Sequence, residues 1–143
     1  MFAADEDTLA VVRQWVQKAE NDFANAIHTL RLRTHCPTDT VCFHAEQCVE
    51  KYLKALLVLH GIEFARTHQI GALLSLLPAR VRPDLTLQEQ ERLTDYAVST
   101  RYPGDYEEIP LAEAQQAVEV TRRVRRQIRR RLPKADLGGA SPN

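Results

Sequence analysis

Polar residues that could bind an anion recur along one face of a predicted helix. This polar stripe consists of His44, Gln47, Lys51 and Lys54. Because the spacings are three or four residues, a helix from Thr38 to Gly61 would align the four side chains. Two ammonium groups and an imidazole in one row could hold a phosphate or another anion. The pattern is more typical of a solvated helix face, on which Glu50 and Lys54 would form an ion pair.

Two further segments contain residues that could contribute to such a site. Thr67 and His68 precede a short apolar segment, where the threonine could simply cap a helix and the imidazole could donate or accept a hydrogen bond. Arg101 and Tyr102 fall at the end of another predicted helix. The arginine could recognise a phosphate through paired hydrogen bonds, or it could stabilise the last helical turn.

Basic residues also crowd the end of the chain. They are Arg122, Arg123, Arg125, Arg126, Arg129, Arg130 and Arg131. This run could contact phosphates, although arginines on a solvated helix face are common. The whole chain has 19 basic and 19 acidic residues, so its net charge gives no separate argument for nucleic acid.

The cysteines do not follow a metal-binding or disulfide pattern. Cys36, Cys42 and Cys48 are an odd number with five residues between neighbours, which we interpret as reduced thiols. His44 and Cys48 would share a helix face, but no second pair of ligands accompanies them. We therefore predict no metal site and no cofactor.

The elements that would position these residues all have helical periodicity. Apolar residues recur at spacings of three and four from about Thr8 to Arg33 and again from Thr38 to Gly61. A short helix is predicted from Thr67 to Pro78. A Thr86 and Glu89 capping box begins a fourth helix, and the last begins at Pro110 and ends near Leu132.

The predicted fold is all-α, an antiparallel up-and-down helical bundle of four long helices and one short helix. Caps are expected at Thr8, at Thr38 or Asp39, and at Thr67, with Gly61 in the left-handed conformation that ends a helix. Residues 1–132 would form one domain, and residues 133–143, which lack periodicity, a flexible tail.

The composition is that of an ordinary globular protein. The 143 residues are 44% hydrophobic and 27% charged, enough for one well-packed domain. No apolar run approaches a membrane span, and the first residues lack the order of a signal peptide. We therefore expect a cytoplasmic protein that does not interact with membranes.

Four sequence blocks together resemble a known family. They are AENDF at 19–23, FHAEQCVEKYLKALLVLHG at 43–61, THQIGALLSLL at 67–77 and RYPGDYEEI at 101–109. Their order and spacing are similar to those of the HEPN family, the higher eukaryotes and prokaryotes nucleotide-binding domain. The resemblance covers about residues 8–132 and implies a helical bundle that commonly dimerises.

The resemblance also implies a function. Small prokaryotic members often accompany a separate minimal nucleotidyltransferase in a two-component system of toxin–antitoxin type. Many members are metal-independent ribonucleases with an Arg-x4–6-His motif. If Arg101 were that arginine, the histidine would fall at 106–108, where this chain has Tyr106, Glu107 and Glu108. The ribonuclease motif is therefore absent, and whether the chain is an enzyme is left open.

The leading interpretation is a dimerising HEPN-like module that binds a nucleotide or RNA phosphate and acts with a nucleotidyltransferase partner. Its candidate binding residues are His44, Gln47, Lys51, Lys54, Thr67, His68, Arg101 and Tyr102. One alternative is a ribonuclease toxin with a non-standard active site that uses His44 or His68. Another is a purely structural interaction module.

Overall fold

The computed structural model describes residues 4–98 and 107–134, and all of the regular elements in these ranges are helical. The helices are α1 (Glu6–Leu30), α2 (Thr38–Leu59), α3 (Ile70–Leu76), α4 (Leu87–Val98) and α5 (Leu111–Arg129). Short 3-10 turns lie at Arg33–His35 and Ala79–Val81. The prediction of four long helices and one short helix is confirmed.

Side-chain contacts between helices define their directions. On α1 and α2, the side chain of Asp22 meets both His44 and Lys51, while Lys54 lies over the ring of Trp15. Residue numbers rise along α1 as they fall along α2, so these helices are antiparallel.

Contacts of the other two long helices, α4 and α5, define their directions as well. The side chain of Thr38, at the start of α2, donates to the carbonyl of Ile109 just before α5, and Arg129 at the end of α5 donates to Tyr52. These helices therefore run parallel. Since Arg123 of α5 pairs with Glu89 near the start of α4, and Tyr96 near its end meets Glu113, α4 runs antiparallel to both.

Helix α2 is the centre of the bundle. It contacts all four of the other helices, and most of its middle residues are buried. Besides apolar side chains, the buried set includes Glu46, Glu50 and Lys54. The sequence predicted one buried and one solvated face, but helix α1 and the segment around Phe64 cover much of the polar stripe.

The helix ends agree only in part with the predicted caps. Asp5, rather than Thr8, caps α1 by accepting a hydrogen bond from the Thr8 amide at 2.7 Å. Neither Thr38 nor Asp39 caps α2, because Pro37 occupies that position and Thr38 is already helical. Gly61, with φ of 67°, ends α2 as predicted.

Of the two later predicted caps, one is wrong and the other is confirmed. Thr67 does not cap α3, which begins at Ile70; instead its hydroxyl accepts a hydrogen bond from the Gln69 amide at 3.1 Å. The Thr86 and Glu89 capping box is confirmed, with reciprocal amide hydrogen bonds of 2.9 and 3.1 Å.

The three cysteines are free thiols, as predicted. Cys42 and Cys48 lie in the core on α2, where burial raises the pKa of Cys42 to about 12 and the pKa of Cys48 well above its usual value. Thiols that stay protonated are poor nucleophiles and poor metal ligands. In the part of the chain described, no helix is long and apolar enough to cross a membrane.

Candidate functional site

One acidic side chain of α1 organises the first half of the polar stripe. Asp22 is buried, and its two carboxylate oxygens bind different partners. Oδ1 lies 2.8 Å from Nδ1 of His44, and Oδ2 lies 2.6 Å from Nζ of Lys51. Because a carboxylate accepts hydrogen bonds, Nδ1 is the nitrogen of His44 that carries the proton, and Nε2 is left for another partner. Asp22 therefore fixes an imidazole and an ammonium group side by side.

A second carboxylate organises the other half. Glu50 accepts hydrogen bonds from Lys54 at 2.7 Å and from Gln47 at 2.9 Å, and its Oε2 lies 3.2 Å from Nδ1 of His68. Burial works to raise the pKa of Glu50, but the hydrogen bonds, that from Lys54 foremost, outweigh it and hold this pKa below its usual value. The Glu50–Lys54 pair predicted from sequence is thus present, inside the bundle rather than on its surface.

Glu46 is a buried carboxyl group beside this cluster. It is fully inaccessible, and its Oε1 accepts a hydrogen bond from Gln47 at 2.6 Å. Burial, followed by the charge of Glu50, raises the pKa of Glu46 to about 9. Its Oε2 has no hydrogen-bond partner in the described structure, so nothing at that atom would stabilise a negative charge. Glu46 is therefore neutral at pH 7.

The two lysines and two histidines among the candidates differ in their access to a ligand. Lys54 is only 11% exposed, and its ammonium lies 5.4 Å from the ring centre of Trp15 and 5.9 Å from that of Phe64. The side chains of His44, Lys51 and His68 are 25%, 24% and 51% exposed. A ligand could reach these three, whereas the ammonium group of Lys54 is buried and adds only its positive charge.

The structure thus brings six of the predicted site residues into neighbouring positions on α2 and the segment before α3. His44 and Lys51 meet at Asp22, and Gln47, Lys54 and His68 meet at Glu50. Thr67 is next to His68 in the chain, with its hydroxyl bonded to the Gln69 amide. Arg101 and Tyr102 lie outside the described residues.

Sequence reasoning missed two acidic residues of this site, Asp22 and Glu46. Asp22 was detectable, because it lies three residues after Ala19 and four before Ala26, in the apolar stripe of α1. An acidic residue on a buried face requires a partner. Glu46 offered a weaker signal, since its place beside the buried Ala45 became informative only once both faces of α2 were known to be covered.

A separate charged network joins α1, α2 and α5. Glu20 accepts two hydrogen bonds from Arg125, at 2.7 and 2.8 Å, and one from the hydroxyl of Tyr52. Burial works to raise the pKa of Glu20, but these hydrogen bonds outweigh it and lower that pKa. Arg125 also lies 4.7 Å from the ring centre of Phe23. This network is enclosed by its own partners and serves packing.

The donor set favours anion binding over metal binding. Within residues 4–98 and 107–134, no three potential metal ligands come together. The groups of the site that a ligand could reach are instead two imidazoles and an ammonium group, each bonded to a carboxylate. Such an arrangement can orient a phosphate oxygen and can exchange a proton through Nε2 of His44.

The structure defines the class of protein: a helical bundle whose central helix carries a buried cluster of paired charges. The chain belongs to the HEPN domain family, because the model of that domain matches residues 12–131. This confirms the family and the fold that the sequence blocks implied.

Similar proteins agree with the assignment to this family. The chain is 31% identical over 100 residues to "Putative toxin MJ1304" of Methanocaldococcus jannaschii, an alignment that covers 64% of this chain and 63% of that protein, less than two thirds of its length. The crystal structure of ST0689, an archaeal HEPN homologue, has a TM-score of 0.66 and 28% identity, covering 84% of this chain and 96% of that chain. The crystal structure of TT1696 from Thermus thermophilus gives a TM-score of 0.68 and 28% identity, covering 85% and 98%.

Proposed function

We propose that this chain is the HEPN component of a two-component system of toxin–antitoxin type. In this proposal it forms a homodimer, binds the phosphate of a nucleotide or RNA, and acts with a minimal nucleotidyltransferase partner. Membership of the HEPN domain family supports the proposal, as does the similarity to a protein named as a toxin.

The observation that carries the binding part is the shared contact of His44 and Lys51 with Asp22. The carboxylate pre-orients both groups, which reduces the ordering cost of binding a phosphate between them. His68 contacts the neighbouring carboxylate, Glu50, and half of its side chain is exposed. We place Arg101 and Tyr102 in the same proposal, as residues that would complete the phosphate contacts.

The proposal is tested by binding of ATP and of a short single-stranded RNA to the purified chain. Lys51→Met removes the half-buried ammonium group and is expected to weaken both affinities about tenfold, the cost of one charged hydrogen bond. Lys134→Met is the matched control for ATP, because Lys134 is an exposed lysine far along the chain from the site. Equal affinities of wild type and Lys51→Met for ATP would contradict the site, and failure of the wild type to bind either ligand would favour a purely structural module.

A ribonuclease toxin is the second candidate function, and the orientation of His44 favours it. An imidazole held through Nδ1 by a carboxylate presents Nε2 for proton transfer, which is the arrangement that general acid–base catalysis uses. His44→Asn retains an amide that can donate to Asp22 but has no atom at the Nε2 position. Cleavage of RNA in the presence of a chelator, abolished in His44→Asn, would establish this function; uncleaved RNA would exclude it for the substrate tested.

A further inference from the structure

The end of α5 carries more positive charge than the ion pairs within the bundle neutralise. From Thr121 to Lys134 there are seven arginines, one lysine and no acidic residue. Neither the nucleotide site proposed above nor the packing of the bundle accounts for all of them. The structure separates those that have an internal partner from those that do not.

Three arginines have partners within the bundle. Arg123 donates to Glu89 of α4 at 2.6 Å, and Arg125 binds Glu20 of α1 at 2.7 Å. Arg129 donates to the hydroxyl of Tyr52 at 3.1 Å and lies 3.8 Å from Glu20. These side chains lie between α5 and its neighbours, and their charges are paired within the bundle.

Two other arginines of the helix and the arginine at its C-cap form a row along one face. We call Arg122, Arg126 and Arg130 the arginine stripe, since their spacing of four residues places them about 6 Å apart along the helix axis. Arg122 is half-buried, with its guanidinium 5.4 Å from the ring centre of Phe23 and 3.7 Å from the exposed Glu119.

The other two members of the stripe are open to solvent. Arg126 and Arg130 are exposed, and neither has an ion pair in the part of the chain described. Arg131 and Lys134 extend the exposed charge beyond the helix. The end of α5 therefore presents several cations that the bundle does not neutralise.

This row is unfavourable for the isolated helix. Like charges four residues apart destabilise a helix by a small amount for each pair. The helix dipole offsets part of this cost, but only within the last turn, and Arg122 precedes that turn. A polyanion would remove the repulsion along the whole row.

The surroundings of the stripe indicate which polyanion fits. A helix that lies on a membrane needs large apolar side chains beside its basic ones, yet the exposed large apolar residues of the described structure lie on other elements, namely Val11, Leu32, Leu76, Leu87 and Val98. The sequence of α5 contains no aromatic residue, so the helix offers no stacking platform for bases. Charge in a row without such a platform suits a phosphate backbone.

We propose that the arginine stripe binds the phosphodiester backbone of a nucleic acid, independently of sequence. RNA and single-stranded DNA share this chemistry, and both are included in the test. The stripe lies on α5, whereas the residues of the nucleotide site lie on α2 and in the segment before α3, so the proposal does not depend on that site.

The experiment measures how the affinity for fluorescent RNA and DNA strands of about 12 nucleotides, a length within the usual site sizes for single strands, changes with salt. Each phosphate contact contributes about 0.7 to the slope of log K against log salt for single strands. Arg126→Gln with Arg130→Gln is therefore expected to reduce the slope by about 1.4 and to weaken binding about tenfold at low salt. Affinity for ATP should not change.

Arg31→Gln with Arg33→Gln is the control of equal charge change, because both arginines are exposed and lie at the opposite end of the bundle. Thermal unfolding monitored by circular dichroism verifies that both double variants fold. The inference is overturned if the two variants have the same slope and affinity, or if the wild type binds neither strand. A loss of ATP binding in Lys51→Met with a salt slope lowered by no more than about 0.7, the contribution of one phosphate contact, would separate the nucleotide site from the stripe.

Discussion

Glu46 illustrates how a single acidic residue can be tolerated in the core of this protein. Its carboxyl group is inaccessible to water and lies beside a second carboxyl group, Glu50. Two adjacent carboxylates cannot both be ionised at low cost. Glu46 holds its proton, and Glu50 remains charged because Lys54 pairs with it. Which of the two glutamates is ionised therefore depends on which of them is paired with Lys54.

This arrangement predicts that stability falls as the pH rises above about 5. The pKa of Glu46 is raised to about 9 in the folded protein, from 4.5 when exposed. Between these values the folded state binds more protons than the unfolded state, so each unit of pH removes up to about 1.4 kcal/mol of stability. Glu46→Gln keeps the shape and a hydrogen-bond donor, and should abolish this dependence. Urea unfolding at about pH 5, 7 and 8, all between the two pKa values, measures it.

The variant should match the wild type near the acidic end of this range and exceed its stability at the alkaline end, with the difference growing steadily between. Glu46→Ala is a useful comparison, because it also removes the titrating group but leaves a cavity. A stability difference between Glu46→Gln and the wild type that stays constant across the range would show that Glu46 is ionised in the folded state.

Between helices, the joints combine apolar packing with charge. Asp22 of α1 holds two residues of α2, and Glu89 of α4 holds Arg123 of α5. Glu20 binds both α2 and α5 through Tyr52 and Arg125. Each carboxylate specifies which faces of two helices meet, because any other rotation would leave a charge buried without a partner.

Glu20→Gln is accordingly expected to destabilise the fold by about 2–3 kcal/mol. The substitution removes the carboxylate that accepts two hydrogen bonds from the buried guanidinium of Arg125. A broken buried pair typically costs about 3–5 kcal/mol, here reduced by the partial exposure of Glu20. Glu119→Gln is the matched control, since its contact with Arg122 is exposed and should contribute under about 0.5 kcal/mol. Denaturant unfolding of the two variants at neutral pH gives the comparison, and equal effects would contradict an organising role for Glu20.

For the molecule as a whole, we expect two copies of the bundle to associate. The amphipathic helices bury their apolar stripes within one chain, but large apolar side chains are still exposed on α4, Leu87 at 68% and Val98 at 54%. These residues are about three helical turns apart and so lie on one face of that helix. Exposed apolar surface of this kind is commonly covered in two-fold symmetric dimers.

Light scattering coupled to size-exclusion chromatography tests this expectation. The measured mass should be about twice the chain mass of 16.3 kDa at micromolar concentration and should be independent of salt if the contact is apolar. A mass equal to that of one chain across a dilution series would contradict the dimer. The same measurement with the nucleotidyltransferase partner would give the composition of the proposed complex.

The helices and the family could be read directly from the order of the amino acids. Spacings of three and four residues specify amphipathic helices because apolar side chains must share a face to be buried, and the Thr86 capping box and Gly61 mark helix ends through local chemistry. The four blocks that contain Asp22, the polar stripe, Thr67 and Arg101 were sufficient for the resemblance. Such signals are local, so they can be read without knowing which helices touch.

The surroundings of the polar stripe became known only from the packing of the helices. The sequence could show that His44, Lys51 and Lys54 share a face of α2, but not that Asp22 of another helix meets two of them or that aromatic rings lie against the third. Likewise, the arginines of α5 look alike in the sequence, and only their neighbours separate the buried Arg125 from the exposed Arg126. Burial and pairing depend on residues distant in the chain, and these determine which charged groups hold the fold and which are free to bind.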